Sequence, residues 1–136
     1  MRLLQLLLAA LVLALPSLPA HARSAVLADP APVAIPAGLS QEQVVKDIKR
    51  ALIGRGWAIS SQAPGQIEST LNLRDHEARI RVTYDSTQVQ LAYLDSRNLD
   101  YREKRGQRLI HSNYLGWIGF LVKDLDTNFK VSAAGG

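Results

Sequence analysis

Two histidines carry the chemistry that this sequence could support most readily, His76 and His111. His76 lies between the carboxylates Asp75 and Glu77, and imidazole with carboxylate is a combination used by metal sites and by hydrolases. No H-E-x-x-H or similar spacing is present, however, so we predict no metal site and no cofactor. A hydrolase that acts through His76, His111 and nearby carboxylates is kept as the alternative function.

Other catalytic patterns are missing from the sequence. The chain has no cysteine, and none of its serines stands in a G-x-S-x-G motif. The glycines at 54 and 56 and at 116 and 119 do not follow a strand and open a helix, as phosphate-binding loops do. The sequence therefore favours binding over catalysis, and we predict no catalytic residue.

A polar stretch near the middle of the chain offers a binding surface instead. Ser96 to Tyr101 mixes charged, amide and aromatic groups, and the following residues up to Arg108 are mostly basic. Such loops often carry recognition, although Asn98 and Asp100 could equally serve as local turn residues. Basic groups here would suit an envelope protein or an anionic envelope polymer. The predicted surface comprises Arg74, His76, Arg79, Arg81, Arg97, Asn98, Tyr101, Arg102, Lys104, Arg105 and Arg108.

Three predicted β-strands would position these residues, and their apolar side chains would all lie on the same face of the sheet. Apolar side chains alternate with polar ones in three runs, residues 67–73, 78–84 and 89–93. Turns at 75–76 and 86–87 would set Leu71 opposite Ile80 and Val82 opposite Leu91. The other face would carry ion pairs, with Glu68 diagonal to Arg81.

Two amphipathic helices flank this meander. Ser40, with Gln43 three residues on, has capping-box spacing and predicts a helix to Ile53. A basic loop is expected over 95–108, followed by a helix from Leu109 to Phe129. The predicted fold class is α+β: an antiparallel three- to four-stranded meander with one face covered by an N-terminal and a C-terminal helix, an αβββα two-layer sandwich.

The last helix presents a second kind of surface. Gly116 and Gly119 are expected to point outward beside Phe120, and outward glycines in a helix are unfavourable unless something approaches closely. A homodimer through this helix is one interpretation, and tolerated glycines are the other.

The N-terminal segment predicts export. Arg2, the apolar run from Leu3 to Leu15 and Ala20-His21-Ala22 form a signal-peptide pattern, with cleavage after Ala22. The run is too short to span a bilayer, and an acyl anchor would need a cysteine, so we predict a periplasmic or secreted protein with no stable transmembrane segment. A Pro/Ala-rich extended leader follows over 23–39, then one domain over 40–130 and a flexible tail over 131–136.

Charge argues against nucleic acid as a partner. The formal net charge of +4 becomes +3 once Arg2 is removed with the signal peptide, which is mild for a nucleic-acid-binding domain. Without cysteine, the fold must be held by its apolar core alone.

Several of these residues also form a pattern that resembles a known family. The chain is similar to small exported bacterial proteins, often lipoproteins, that have no established function. The resemblance covers about residues 40–129 and implies the helix, meander, helix layout, but no activity. It rests on Gly56-Trp57, Pro64-Gly65, Arg74-x-His76-x-Ala78, Tyr84, Tyr93, Ser96-x-Asn98-Leu99-x-Tyr101 and Ile110-His111-x-x-Tyr114-x-x-Trp117.

Overall fold

A computed structural model of the chain describes residues 23–135. Within these residues the fold is α+β with two helices, as predicted, but it has two antiparallel sheets of five and three strands in place of the single three- to four-stranded meander of the predicted αβββα sandwich. The predicted signal peptide lies outside the described residues. In chain order the elements are β1 (Ser24–Val26), β2 (Val33–Ala34), α1 (Gln41–Gly54), β3 (Trp57–Ala63), β4 (Gln66–Leu73), β5 (His76–Tyr84), β6 (Gln88–Arg97), β7 (Arg102–Lys104), β8 (Gln107–His111) and α2 (Ser112–Ala133).

The larger sheet has five strands in the order β2-β6-β5-β4-β3. Its predicted apolar face is hidden, because Ile67, Ile80 and Val82 are all fully buried. Ser69 shares that face and is also fully buried, and its hydroxyl donates to the Ala58 carbonyl oxygen at 2.7 Å. The burial of every second side chain therefore follows the period of two that the sequence showed.

One of the two predicted hairpin registers is correct and the other is wrong. Between β5 and β6, Val82 faces Leu91 as predicted. Between β4 and β5 the predicted register is wrong, since Leu71 faces Ala78 rather than Ile80. The turn consists of residues 74–75, with Arg74 at a φ of 56°, and His76 begins the next strand. A shift of two residues keeps every side chain on its face, which is why the alternation could not reveal it.

The predicted basic loop is largely a second sheet, with strand order β1-β8-β7. A tight turn at Arg105-Gly106 joins β7 to β8, and both residues have positive φ, 53° and 76°. Leu109 and Ile110 belong to β8, so the last helix begins at Ser112 rather than at Leu109, and it continues to Ala133 rather than ending at Phe129. The pairing partner of β8 is β1, far away in the sequence, so local patterns could not indicate it.

Residues 23–39, which the sequence suggests lead into the domain, contribute to its sheets. Ser24–Val26 pairs with β8, and Val33–Ala34 pairs with β6. Leu27, Val33 and Ile35 are buried in the same core as the strands and helices. The segment therefore supplies an edge strand to each sheet, and Pro30 and Pro32 lie in the link between these two strands.

Both helices pack into that core. Ser40 caps α1 as predicted, since its Oγ accepts from the Gln43 backbone N–H at 3.1 Å. The Gln43 side chain does not return to the cap, but donates to the Asp47 Oδ1 at 3.0 Å and the Ser132 Oγ at 3.2 Å. It thereby links α1 to α2. Buried apolar residues of the helices are Val44, Ile48, Ala51, Leu52, Tyr114, Ile118, Leu121, Leu125 and Phe129.

Candidate functional site

A polar cleft opens where the β4–β5 turn meets the end of β6. It encloses about 700 Å³, a volume in the range of ligand sites. Its lining residues come from both sides of the hairpin turn and from the link that follows β6. They are Asn72, Arg74, Asp75, His76, Arg97 and Asn98.

A bulge in β6 places Arg97 at this cleft. The register between β5 and β6 shifts between Ile80, which faces Tyr93, and Arg79, which faces Asp95. The extra residue is Leu94. Odd-numbered residues of β6 face the core before Leu94 and face outward after it. Arg97 consequently lies opposite Glu77 on the outer face of the sheet.

Asn98 ties the two sides of the cleft together. Its side-chain amide donates to the Asp75 carbonyl oxygen at 2.7 Å, and its own carbonyl oxygen lies 2.7 Å from the Nδ1 of His76. Asn98 has a φ of 56°, a left-handed conformation that asparagine tolerates better than most residues. Asn98 therefore joins the segment between β6 and β7 to the β4–β5 turn by hydrogen bonds.

The same contact determines where His76 holds its proton. A carbonyl oxygen can only accept a hydrogen bond, so the Nδ1 of His76 must be the donor. In the neutral ring this leaves Nε2 as an acceptor. The ring also lies beside Trp117 of α2, with 6.3 Å between the ring centroids.

The two arginines of the cleft differ in their partners. Arg97 donates to the Glu77 carboxylate at 2.8 Å, yet three quarters of its side chain stays exposed. Arg74 is exposed at the turn, and within residues 23–135 it takes part in no ion pair. Arg74 therefore offers its guanidinium donors to a ligand without breaking an internal contact.

The predicted binding residues Arg79 and Arg81 are already neutralised. Both guanidinium groups approach Glu68, at 3.6 Å and 2.9 Å, and Arg79 also pairs with Asp95. In the observed register Glu68 lies directly opposite Arg81, not diagonal to it as predicted. This part of the outer sheet face is a network of ion pairs rather than a basic patch.

The remaining predicted residues belong to the β7–β8 hairpin and its approach. Arg102 donates to the Ser24 Oγ at 2.8 Å, and Arg108 lies 4.0 Å from Asp29, so both hold the N-terminal segment. Tyr101 stacks on Tyr93 with 5.0 Å between ring centroids. Lys104 and Arg105 are exposed and belong to no ion pair of the described chain.

The eleven predicted residues thus fall on three separate surfaces. The polar cleft brings together Arg74, His76, Arg97 and Asn98. Of its other two lining residues, Asn72 was missed, although its position beside a turn was a signal for it, and Asp75 was considered only as a carboxylate of the hydrolase alternative.

His111 serves a different purpose from His76. It is the N-cap of α2, and its Nδ1 accepts from the Asn113 backbone N–H at 3.1 Å. Its own backbone N–H donates to Leu99, next to the residue that His76 contacts, but His111 does not line the polar cleft. Glu77 does not line the cleft and is paired with Arg97 at 2.8 Å. Within the described residues, no three histidine, aspartate or glutamate side chains are grouped to hold a metal ion.

An apolar groove lies next to the polar cleft and was not predicted. It encloses about 100 Å³ between the end of the sheet and α2, and it is lined by Arg55, Trp57, Leu71, Leu73, Trp117 and Phe120. The sequence placed Leu71, Leu73 and Trp117 on apolar faces and Phe120 beside the outward glycines, and in the structure Leu73 and Phe120 are 44% and 51% exposed. Only the position of α2 over the hairpin end reveals them as one surface.

One side of the groove is held by Arg55. Its guanidinium lies 4.7 Å from the centre of the Phe120 ring and donates to Asp124 at 2.7 Å and 3.2 Å. This contact lowers the pKa of Asp124 and raises the pKa of Arg55. The exposed ring of Phe120 is therefore fixed in place by a charged neighbour.

Across residues 23–135, neither helix combines the length and apolar character needed to cross a bilayer. No protein-family model matches the chain, and no curated protein or solved structure matches it significantly.

Proposed function

We propose that this chain is an exported domain of the cell envelope that binds a partner and catalyses no reaction. The partner, a protein or an anionic polymer, presents a negatively charged group to the polar cleft. The observation that carries this proposal is that Arg74, His76, Arg97 and Asn98 converge around one open cleft.

The donors of the cleft suit an anion. Arginine presents a planar fork of N–H donors that matches a carboxylate or a phosphate. Arg74 is free to make such a contact, and Arg97 can share its exposed guanidinium between Glu77 and a ligand. Asp75 also lines the cleft, so its carboxylate offsets part of the arginine charge, while its backbone carbonyl accepts from Asn98 and keeps the turn in shape.

The hydrolase alternative receives less support from the same geometry. It needs His76, His111 and a carboxylate to act on one substrate. The Nδ1 of each histidine is engaged in a local hydrogen bond, and only His76 faces the cleft. The proposed periplasmic or secreted location rests on the N-terminal pattern of the sequence.

A titration with poly-L-glutamate tests the proposal with a matched control. We expect the double variant Arg74→Ser/Arg97→Ser to bind this probe about tenfold more weakly than the unmodified chain at low salt, because two charged donors are lost. The control, Lys104→Ser/Arg105→Ser, removes the same charge from the β7–β8 turn. It should change the affinity for poly-L-glutamate by less than about twofold, because exposed charges outside the cleft contribute little to this binding.

Two results would count against the proposal. Equal weakening by both double variants would mean that the probe senses net charge only. Weakening by the β7–β8 variant alone would move the binding surface away from the polar cleft. Calorimetry gives the affinities, and thermal unfolding of each variant shows that its fold is kept.

A further inference from the structure

The polar cleft and the apolar groove meet at the end of the β4–β5 hairpin. Leu73 lines the groove and His76 lines the cleft, and the two residues are paired across the hairpin. Trp117 joins them from the other side, since it lines the groove and its ring lies 6.3 Å from that of His76. A ligand bound at this end of the molecule can therefore contact both surfaces at once.

The size of the groove limits what can enter it. Its volume of about 100 Å³ is smaller than the roughly 150 Å³ apolar cavity that accepts benzene in an engineered protein, and smaller than the range of small-molecule sites. One aliphatic side chain fits such a space.

The walls of the groove are held by contacts within the domain. Trp57 and Leu71 are nearly fully buried at its base, and the Phe120 ring is held beneath the Arg55 guanidinium. A partner side chain would thus cover the exposed parts of Leu73 and Phe120 with little rearrangement of the domain. Apolar anchors that enter a preformed pocket dominate the affinity of many protein interfaces.

From these observations we infer that the partner is a protein segment in which one apolar side chain lies next to an acidic one. The apolar side chain occupies the groove, and the neighbouring carboxylate reaches Arg74 of the cleft. This inference rests on the proposed function and narrows it, because a polymer without apolar side chains would use the cleft alone.

Selection from a library of short random peptides tests the inference without presupposing a sequence. Peptides captured by the unmodified chain should be enriched in an aliphatic or aromatic residue beside Asp or Glu. For a synthetic peptide from that set, Leu73→Ser and Phe120→Ser should each weaken binding about tenfold. Val131→Ser is the matched control, because Val131 is 49% exposed on α2 but does not line the groove.

Three outcomes would overturn the inference. The first is that no peptide is enriched although poly-L-glutamate binds. The second is enrichment of acidic peptides that Leu73→Ser retains fully. In both cases the polar cleft would bind anions without any contribution from the apolar groove. The third is binding to phosphatidylglycerol vesicles that Leu73→Ser abolishes, which would assign the groove to lipid. Failure of poly-L-glutamate to bind at all would instead reject the proposed function.

Discussion

Single residues with unusual backbone angles shape the candidate site. Arg74 and Asn98 both have a φ of 56°, and both line the polar cleft. Such conformations are costly for residues other than glycine, and they persist where surrounding contacts determine them. At Asn98 those contacts are the bonds to the Asp75 carbonyl and to His76. The cleft therefore depends on a few specific side chains rather than on a whole strand.

Asp85 plays a comparable part at the other hairpin turn. Its Oδ1 accepts from the Thr87 backbone N–H at 2.7 Å, the Gln88 backbone N–H at 2.9 Å and the Thr87 hydroxyl at 2.9 Å. These bonds lower the pKa of Asp85 below its ordinary value of 3.8, since they favour the ionised carboxylate.

We predict that Asp85→Ala lowers the melting temperature at neutral pH. A carboxylate with a lowered folded-state pKa contributes stability above its ordinary pKa and loses it as the pH falls through the folded-state value. The difference between the variant and the unmodified chain should therefore shrink below pH 3.8. Thermal unfolding followed by circular dichroism across the pH range measures it. A difference that stayed constant down to pH 2 would show that ionisation of Asp85 is irrelevant.

At the scale of elements, local patterns predicted helix α1, most of helix α2 and three of the eight described strands, β4, β5 and β6, but not the long-range partners of these elements. Ser40 and the alternation from Ile67 onward are local signals, so the α1 cap and the hidden sheet face could be predicted. Leu109 and Ile110 extend the apolar stripe of α2 in sequence, so they were assigned to the helix. In the structure they form a strand because β1 supplies a pairing partner. The extra residue Leu94 likewise has no local signature, yet it places Arg97 at the cleft.

Helix α2 also allows a test of the two exposed glycines. An added Cβ at Gly116 or Gly119 would meet no atom within 4 Å, and neither residue has positive φ. We predict that Gly116→Ala and Gly119→Ala each raise the free energy of unfolding by about 1 kcal/mol, the usual difference in helix propensity. Gly106→Ala is the contrasting control and should lower it, because Gly106 has equal space but a φ of 76°.

Chemical denaturation measures these differences, and sedimentation measures self-association in the same samples. Destabilisation by either helix variant would contradict the prediction. If stability rises and self-association is unchanged, the proposed homodimer through α2 is wrong. Weakened self-association would support that homodimer.

For the whole molecule, the distribution of charge matters more than its total. The chain carries a formal net charge of +4, which suggests no particular surface. Internal ion pairs then occupy Arg55, Arg79 and Arg81, while Arg102 and Arg108 hold the N-terminal segment. Among the predicted binding residues, exposed cations therefore remain at the cleft and at the β7–β8 turn.

Four of the eleven predicted binding residues converge on the cleft, and the reason is geometric. The sequence could show which side chains were polar, but not which of them would find a carboxylate nearby. Arg79 and Arg97 cannot be distinguished in the sequence. In the structure Arg79 pairs with two carboxylates, whereas the side chain of Arg97 is three quarters exposed, and this difference results from the strand register and the bulge.

Amide chemical-shift mapping of the isotopically labelled chain, titrated with poly-L-glutamate, locates the residues that bind the anion. We expect the largest shifts on residues 72–76 and 97–98 and little change at the turn of residues 104–106. Shifts concentrated at that turn, or spread evenly over every exposed basic residue, would contradict binding at the polar cleft.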